Sequence, residues 1–178
     1  MESRRIIFKA LEKEDLNLRV KWLNNKQVRD SLFLQFPLSL KETEAWYERI
    51  IKDTSRKDLM LFEKETGKAI GFAGYTNIDW SNRKAEPFIA IGDTDAWGKS
   101  YGTEVIHYLL DYGFNELGFN RQYGFILEFN KGALKMDLRA GFNEEGILLD
   151  DVFLHGKFQN RIMVGVTREK FNKRFPKE

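Results

Sequence analysis

Residues 93–104 have the sequence Asp93-Thr94-Asp95-Ala96-Trp97-Gly98-Lys99-Ser100-Tyr101-Gly102-Thr103-Glu104. They decide the fold because a short apolar run precedes them and a helical pattern of apolar residues follows them. The apolar run is 88–91; the helical pattern is carried by Val105, Ile106, Leu109, Leu110, Phe114 and Leu117. The stretch therefore predicts a strand, a glycine-bearing turn and a helix start. The first N–H groups of a helix lack intrahelical partners and the helix dipole is positive there, so such a turn can hold a phosphate.

The turn resembles the pyrophosphate loop of the GNAT N-acetyltransferase superfamily, which is usually written Gln/Arg-x-x-Gly-x-Gly/Ala. Gly102 matches the second motif glycine. Trp97 stands where Gln or Arg is usual, and Ser100 replaces the first motif glycine. A short glycine motif of this kind is also typical of a plain tight turn before a helix.

A second segment, 130–142, resembles the other signature of the same family, Asn-x-x-Ser/Ala followed by a short helix that ends in Gly-Phe. Asn130, Ala133, Gly141 and Phe142 match it. The spacing between the two signatures suits one helix and one strand. Two signatures in this order indicate the family more specifically than one does.

The whole chain predicts a mixed α/β order of strand, helix, helix, three strands, helix, strand, helix and two strands. This is the element order of the GNAT fold, a central, mostly antiparallel sheet with flanking helices. The predicted strands are 6–10, 59–62, 70–75, 85–92, 122–129, 145–154 and 161–166. The predicted helices are 16–25, 40–53 with a Ser39/Glu42 capping box, 101–117 and 131–139, and 170–174 is predicted to be a charged tail. Residues 31–37 are predicted to form a loop.

Composition predicts one domain over residues 1–178, since the chain has 42% hydrophobic residues and no linker. A net charge of +2, from 29 basic and 27 acidic residues, gives no case for nucleic-acid or membrane binding. With no cysteine and only two histidines, neither a disulfide framework nor a metal cofactor is expected. No signal peptide or transmembrane-length run is present, which favours a cytoplasmic protein. A homodimer is left open.

The resemblance implies that acetyl-CoA is the co-substrate and that the strands on either side of the long helix splay to admit its pantetheine arm. The cofactor-binding residues that it implies are Ile89, Ala90, Ile91, Trp97, Gly98, Lys99, Ser100, Tyr101, Gly102, Thr103, Asn130 and Ala133. Phe33 and Phe36 are expected to line the acceptor pocket, since their segment follows the first helix. On the same resemblance, the expected acceptor is a primary amine, either a peptide N-terminus or a small amine such as an amino sugar or aminoglycoside, which attacks directly in a ternary complex.

Two carboxylates are the candidate catalytic residues. A free aliphatic amine has a pKa of roughly 10, so a base must take its proton near neutral pH, and Glu86 is the candidate because it lies on the strand beside the acceptor. Asp137 occupies the position where many family members carry a tyrosine that protonates the departing thiolate. It can be a protonated acid, an anchor for the acceptor's ammonium, or a surface residue; Glu86 can likewise be a solvated residue at a strand start.

Two other functions compete with N-acetylation. The replaced glycine at Ser100 and the missing tyrosine at Asp137 also fit a binding module that holds acyl-CoA without turnover. A P-loop nucleotidase is disfavoured, because Gly-x-x-x-x-Gly-Lys-Ser/Thr is absent.

Residues 155–160, a Gly-Lys-aromatic turn, resemble the ribosomal-protein N-terminal and diamine acetyltransferase branch.

Overall fold

The computed structural model describes residues 1–30, 32, 34, 36–154 and 156–176, and within them seven strands form one sheet in the order β1-β2-β3-β4-β5-β7-β6. The strands are β1 (Ile6–Ala10), β2 (Lys57–Glu63), β3 (Ala69–Asp79), β4 (Lys84–Ile91), β5 (Arg121–Leu127), β6 (Asn143–Leu154) and β7 (Lys157–Thr167). Neighbours pair antiparallel, except that β4 and β5 are parallel. The predicted mixed α/β fold with a mostly antiparallel sheet is confirmed.

Helices flank this sheet on both faces. They are α1 (Leu16–Asn24), α2 (Lys26–Arg29), α3 (Leu40–Ile50), α4 (Tyr101–Asn115), α5 (Lys131–Ala140) and α6 (Arg168–Arg174). The predicted capping box of α3 is present: the Ser39 hydroxyl accepts from the Glu42 N–H, and the Glu42 carboxylate accepts from the Ser39 N–H. Asn130 caps α5 as predicted, its side-chain oxygen accepting from the Ala133 N–H at 3.0 Å.

Two local predictions were wrong, and one short helix was missed. The tail is the helix α6, whose Phe171 is buried against the rings of His107 and Phe114. The four-residue helix α2 was missed, because it is too short to show a period. Ile51, expected on the buried face of α3, is 54% exposed because the helix ends before it. Three residues of the predicted loop, Ser31, Phe33 and Gln35, and also His155, lie outside the described residues.

The hydrophobic core is divided between the two faces of the sheet. On one face α4 packs Val105, Leu109 and Phe114 against the strands, and α5 and α6 extend this layer. On the other face α1 supplies Trp22 and Leu23 to a second cluster, which α3 covers. The central strands β3 and β4 are covered on both faces by these two layers.

Buried polar side chains fix α4 on the sheet. The Tyr75 hydroxyl of β3 donates to the Leu109 carbonyl at 2.6 Å, and the Gln122 amide of β5 donates to the Leu110 carbonyl at 2.8 Å. Gln122 can reach the helix because residue 113 is glycine: a Cβ there would lie 2.6 Å from the Gln122 amide nitrogen. These bonds hold α4 across β3 and β5, so its N-terminus has a fixed place.

The parallel strands β4 and β5 pair only at Lys84↔Arg121 and Ala85↔Gln122. Both strands continue, β4 to Ile91 and β5 to Leu127, with no further row of pairing in the described residues. The sheet therefore splits between its fourth and fifth strands.

Candidate active site

A cavity of about 620 Å³ lies beside the split, between β4, the start of α4 and α5. It is lined by Val28, Leu32, Ile89, Ala90, Ile91, Ala96, Trp97, Gly98, Ser100, Tyr101, Gly102, Thr103, Asn130, Gly132, Ala133, Lys135, Met136 and Arg139. Its walls thus combine the end of β4, the turn before α4 and one face of α5.

The turn between β4 and α4 reverses the chain through two residues with left-handed backbone. Gly98 has φ +76° and Ser100 has φ +62°. Trp97 closes the turn, because its indole N–H donates to the Ile91 carbonyl at 2.9 Å. A positive φ is the reason that glycine suits position 100, where an L-residue with a Cβ is strained.

The first turn of α4 presents main-chain donors to the cavity. The Glu104 N–H donates to the Ser100 carbonyl at 3.2 Å, so the N–H groups of Tyr101, Gly102 and Thr103 come before the first N–H group that has an intrahelical acceptor. Such groups, at the positive end of the helix dipole, suit an anion.

Gly102 lies at the contact between α4 and α5. An ideal Cβ at this position would lie 2.5 Å from the Met136 sulfur of α5, so a larger residue would require the Met136 side chain to move. The sequence predicted Gly102 as a place for phosphate approach; the structure adds that it also faces α5.

The carboxylate of Glu104 ties α4 to the N-terminal segment. It accepts from the Ser3 hydroxyl, the Arg5 N–H and the Arg5 guanidinium, each at 2.7 Å. Burial would raise the pKa of Glu104, but these hydrogen bonds outweigh burial and lower that pKa. The Arg5 guanidinium also donates to the Lys99 carbonyl at 3.0 Å, so the turn is held from outside the cavity.

The Tyr101 phenol has partners on other segments of the chain. Its hydroxyl donates to Glu63, which raises the pKa of Tyr101, and the Arg5 guanidinium lies 4.5 Å from its ring centre. Tyr101 is also among the residues that line the cavity.

The structure brings together most of the predicted cofactor residues and leaves five predicted site residues out. Lys99, Glu86, Asp137 and Phe36 are not among the lining residues, and Phe36 is 75% exposed. Phe33 lies outside the described residues. The lining residues that sequence reasoning missed are Val28, Leu32, Ala96, Gly132, Lys135, Met136 and Arg139. Those on α5 fall three or four residues apart, a helical-face signal that was available in the sequence.

Glu86 is the first residue of β4 after its last pair with β5. Because successive residues of a strand point to opposite faces, the Glu86 side chain lies on the face of the sheet opposite to that of Ala85. The Glu86 carboxylate accepts from the Asn77 side-chain amide at 2.8 Å. Tyr123 is the corresponding residue of β5, on the same face. Burial, and then the negative charges of Glu86 and Asp79, raise the pKa of Tyr123, so its phenol stays protonated at neutral pH.

Asp137 lies on α5 with a buried carboxyl. Its Oδ1 atom has no hydrogen-bond partner among the described residues, and burial raises its pKa to about 7. The buried Oδ1 atom argues against a fully exposed surface position for the Asp137 carboxyl. A carboxyl with this environment is partly protonated at neutral pH.

Residues 5–143 match the acetyltransferase (GNAT) domain family. The chain belongs to the GNAT acetyltransferase family. The spermidine N(1)-acetyltransferase of Vibrio cholerae is 26% identical over 166 residues, which cover 93% of this chain and 95% of that protein. The spermidine N(1)-acetyltransferase of Escherichia coli K12 is 26% identical over 163 residues, 92% of this chain and 86% of that protein.

The fold of this GNAT acetyltransferase is also that of a solved relative. The structure of the Vibrio cholerae spermidine N-acetyltransferase in complex with CoA and spermine matches it with a TM-score of 0.87 at 26% identity, over 94% of this chain and 98% of that one. The predicted family, diamine acetyltransferase-like branch, co-substrate and reaction are confirmed: the chain is an enzyme that transfers an acetyl group from acetyl-CoA to an amine. Catalysis is thereby favoured over the non-catalytic module.

Two further findings concern the described residues of the acetyltransferase. No helix among them is long and apolar enough to span a bilayer. Their His, Asp and Glu side chains form no group of three or more that is placed to hold a metal ion.

We predict that Ser100→Gly stabilises the acetyltransferase relative to Ser100→Ala, because only glycine removes the Cβ from the left-handed residue. The expected difference is about 1 kcal/mol in the free energy of unfolding, measured by urea denaturation. Acetyl-CoA affinity should stay within a few-fold of the parent. A tenfold gain in affinity, about 1.4 kcal/mol, would instead show that Ser100 impairs the loop.

Proposed function

We propose that the acetyltransferase holds acetyl-CoA in the cavity beside the β4–β5 split and acetylates a small primary amine, with Glu86 as the base. The observation that carries the proposal is the position of the split: the two strands part at Glu86, and the cavity lies beyond it along β4. An acceptor at the split would have the carboxylate on one side and the bound thioester on the other.

The lining of the cavity suits each part of the coenzyme. The unpaired N–H groups at the start of α4 would hold the diphosphate. The pantetheine arm carries amides, and the edge of β4 at 89–91 lacks a partner strand on the β5 side, so it can bond that arm as it would a strand. When bound, acetyl-CoA supplies the activated acetyl group.

Proton transfer is assigned to residues on one face of the sheet. Glu86 would take a proton from the acceptor's ammonium, directly or through water, and so leave the neutral amine that attacks the thioester. The Tyr123 phenol, which is protonated at neutral pH, lies on the same face as Glu86 and is the second group to which we assign proton transfer. Asp137 is outside the cavity lining, so we assign it no direct proton transfer, although its sequence position corresponds to that of the family tyrosine.

We infer the acceptor class from the named relatives and from the charges of segment 30–38, which the sequence places beside the acceptor. The curated relatives from Vibrio cholerae and Escherichia coli are named for spermidine, a small amine, which supports a small acceptor over a peptide N-terminus. Yet the only acid in the sequence of 30–38 is Asp30, and its carboxylate pairs with Lys26. A second ammonium group would find no further carboxylate in that segment. We therefore propose an acceptor with a single ammonium, such as an amino sugar.

We expect kcat/KM to be at least tenfold higher for 1-aminopentane than for 1,5-diaminopentane, two amines that differ by one ammonium. The physical reason is the cost of an uncompensated charge beside segment 30–38, about 1.4 kcal/mol for each tenfold. CoA release measures both rates, with an amino sugar, spermidine and a short peptide run beside them. Preference for the diamine or spermidine would contradict the acceptor assignment, and reaction with the peptide alone would contradict a small acceptor.

Replacing Glu86 with glutamine should lower kcat/KM about 10²–10⁴-fold near neutral pH, the usual contribution of a general base. The loss should shrink at alkaline pH, where the amine deprotonates without help. The glutamine keeps a hydrogen-bonding oxygen for Asn77, and acetyl-CoA affinity should be unchanged in calorimetry.

Asp137→Asn is the matched control for Glu86→Gln. It should change kcat/KM much less, and it should alter stability instead. The folded-state pKa of Asp137 is raised to about 7, so ionisation of this carboxyl weakens the fold as pH rises through 4–7. The variant should gain stability over the parent across that range. If Asp137→Asn lost its activity while Glu86→Gln stayed fully active, the catalytic role would belong to Asp137 and not to Glu86.

A further inference from the structure

We infer that Lys135 and Arg139 form a site for the 3′-phosphate of CoA, so that the enzyme discriminates CoA from 3′-dephospho-CoA. The inference rests on the proposed placement of acetyl-CoA in the cavity. Both residues lie within the second signature segment, 130–142, but neither is one of its matched positions, and the sequence did not single them out.

The two cations share one face of α5. They are four residues apart, both line the cavity, and both side chains are exposed to solvent at its rim. Met136 lies between them in sequence and meets Gly102 in the first turn of α4. Lys135 and Arg139 therefore flank the contact between α5 and the turn that offers main-chain donors.

The charge balance of the cavity favours a polyanion. No carboxylate is among the lining residues that the structure describes, and Lys135 and Arg139 make no ion pair within 4.0 Å there. Two neighbouring cations without an acid repel each other, and an anionic ligand relieves that repulsion.

The geometry separates the two phosphate-bearing parts of CoA. The diphosphate can be held by the N–H groups of Tyr101, Gly102 and Thr103. A terminal phosphate monoester carries close to two negative charges at pH 7, and the ribose 3′-phosphate needs side-chain cations to match them. Lys99, the cation expected from the loop itself, is not among the lining residues, and its carbonyl is engaged by Arg5.

The test is calorimetric binding of CoA, 3′-dephospho-CoA and pantetheine to the parent, Lys135→Gln, Arg139→Gln and the double variant. Each single change should weaken CoA binding about tenfold, the loss expected for a charge-assisted hydrogen bond. Binding of 3′-dephospho-CoA should stay within about twofold of the parent. Lys131→Gln is the matched control, since Lys131 is an exposed cation on α5 outside the cavity lining.

Each alternative result overturns a distinct part of the account. Equal losses for CoA and 3′-dephospho-CoA would assign the two cations to the diphosphate. Unchanged CoA affinity in the double variant would remove them from the coenzyme site and leave the proposed function standing. Failure of the parent to bind CoA at all would overturn the site together with the proposed function. A loss in Lys131→Gln equal to that in Lys135→Gln would reduce the effect to general surface charge.

Discussion

The hydrogen bond from the buried Gln122 amide to the Leu110 carbonyl joins the last row of β4–β5 pairing to the middle of α4. Up to this row β4 and β5 are paired, and beyond it, toward Ile91 and Leu127, the two strands separate. Because the helix is bonded to β5 there and to β3 through Tyr75, its N-terminus is held at the open end of the split. The cavity, the unpaired edge of β4 and the main-chain donors of α4 all depend on this one arrangement.

The turn that joins β4 to α4 is strained, and its neighbours hold it. A left-handed serine costs free energy that a glycine would not. The Trp97 indole bonds the end of β4, and Arg5 bonds the Lys99 carbonyl while pairing with Glu104 in the next turn. These contacts offset part of the backbone strain that the family's glycine would avoid at position 100.

Much of the fold and the place of the site could be predicted from the sequence, because their signals are local. Strand, turn and helix follow from the pattern around 93–104, and the caps at Ser39 and Asn130 are encoded within three residues. Contacts between distant segments could not be predicted in this way. The Tyr101 phenol meets Glu63, and Arg5 meets Glu104, 99 residues away. Those contacts fix the Tyr101 ring and the first turn of α4 against the N-terminal segment and β2.

Amide hydrogen exchange with and without CoA tests the central claim most directly, since the first N–H groups of α4 have no helical partner and should exchange fast in the free enzyme. The account predicts slower exchange at 98–103 and 89–91 on addition of CoA, with β2 and β6 unchanged. Protection confined to other segments, such as the smaller cavity lined by Arg4 and Lys64, would contradict it.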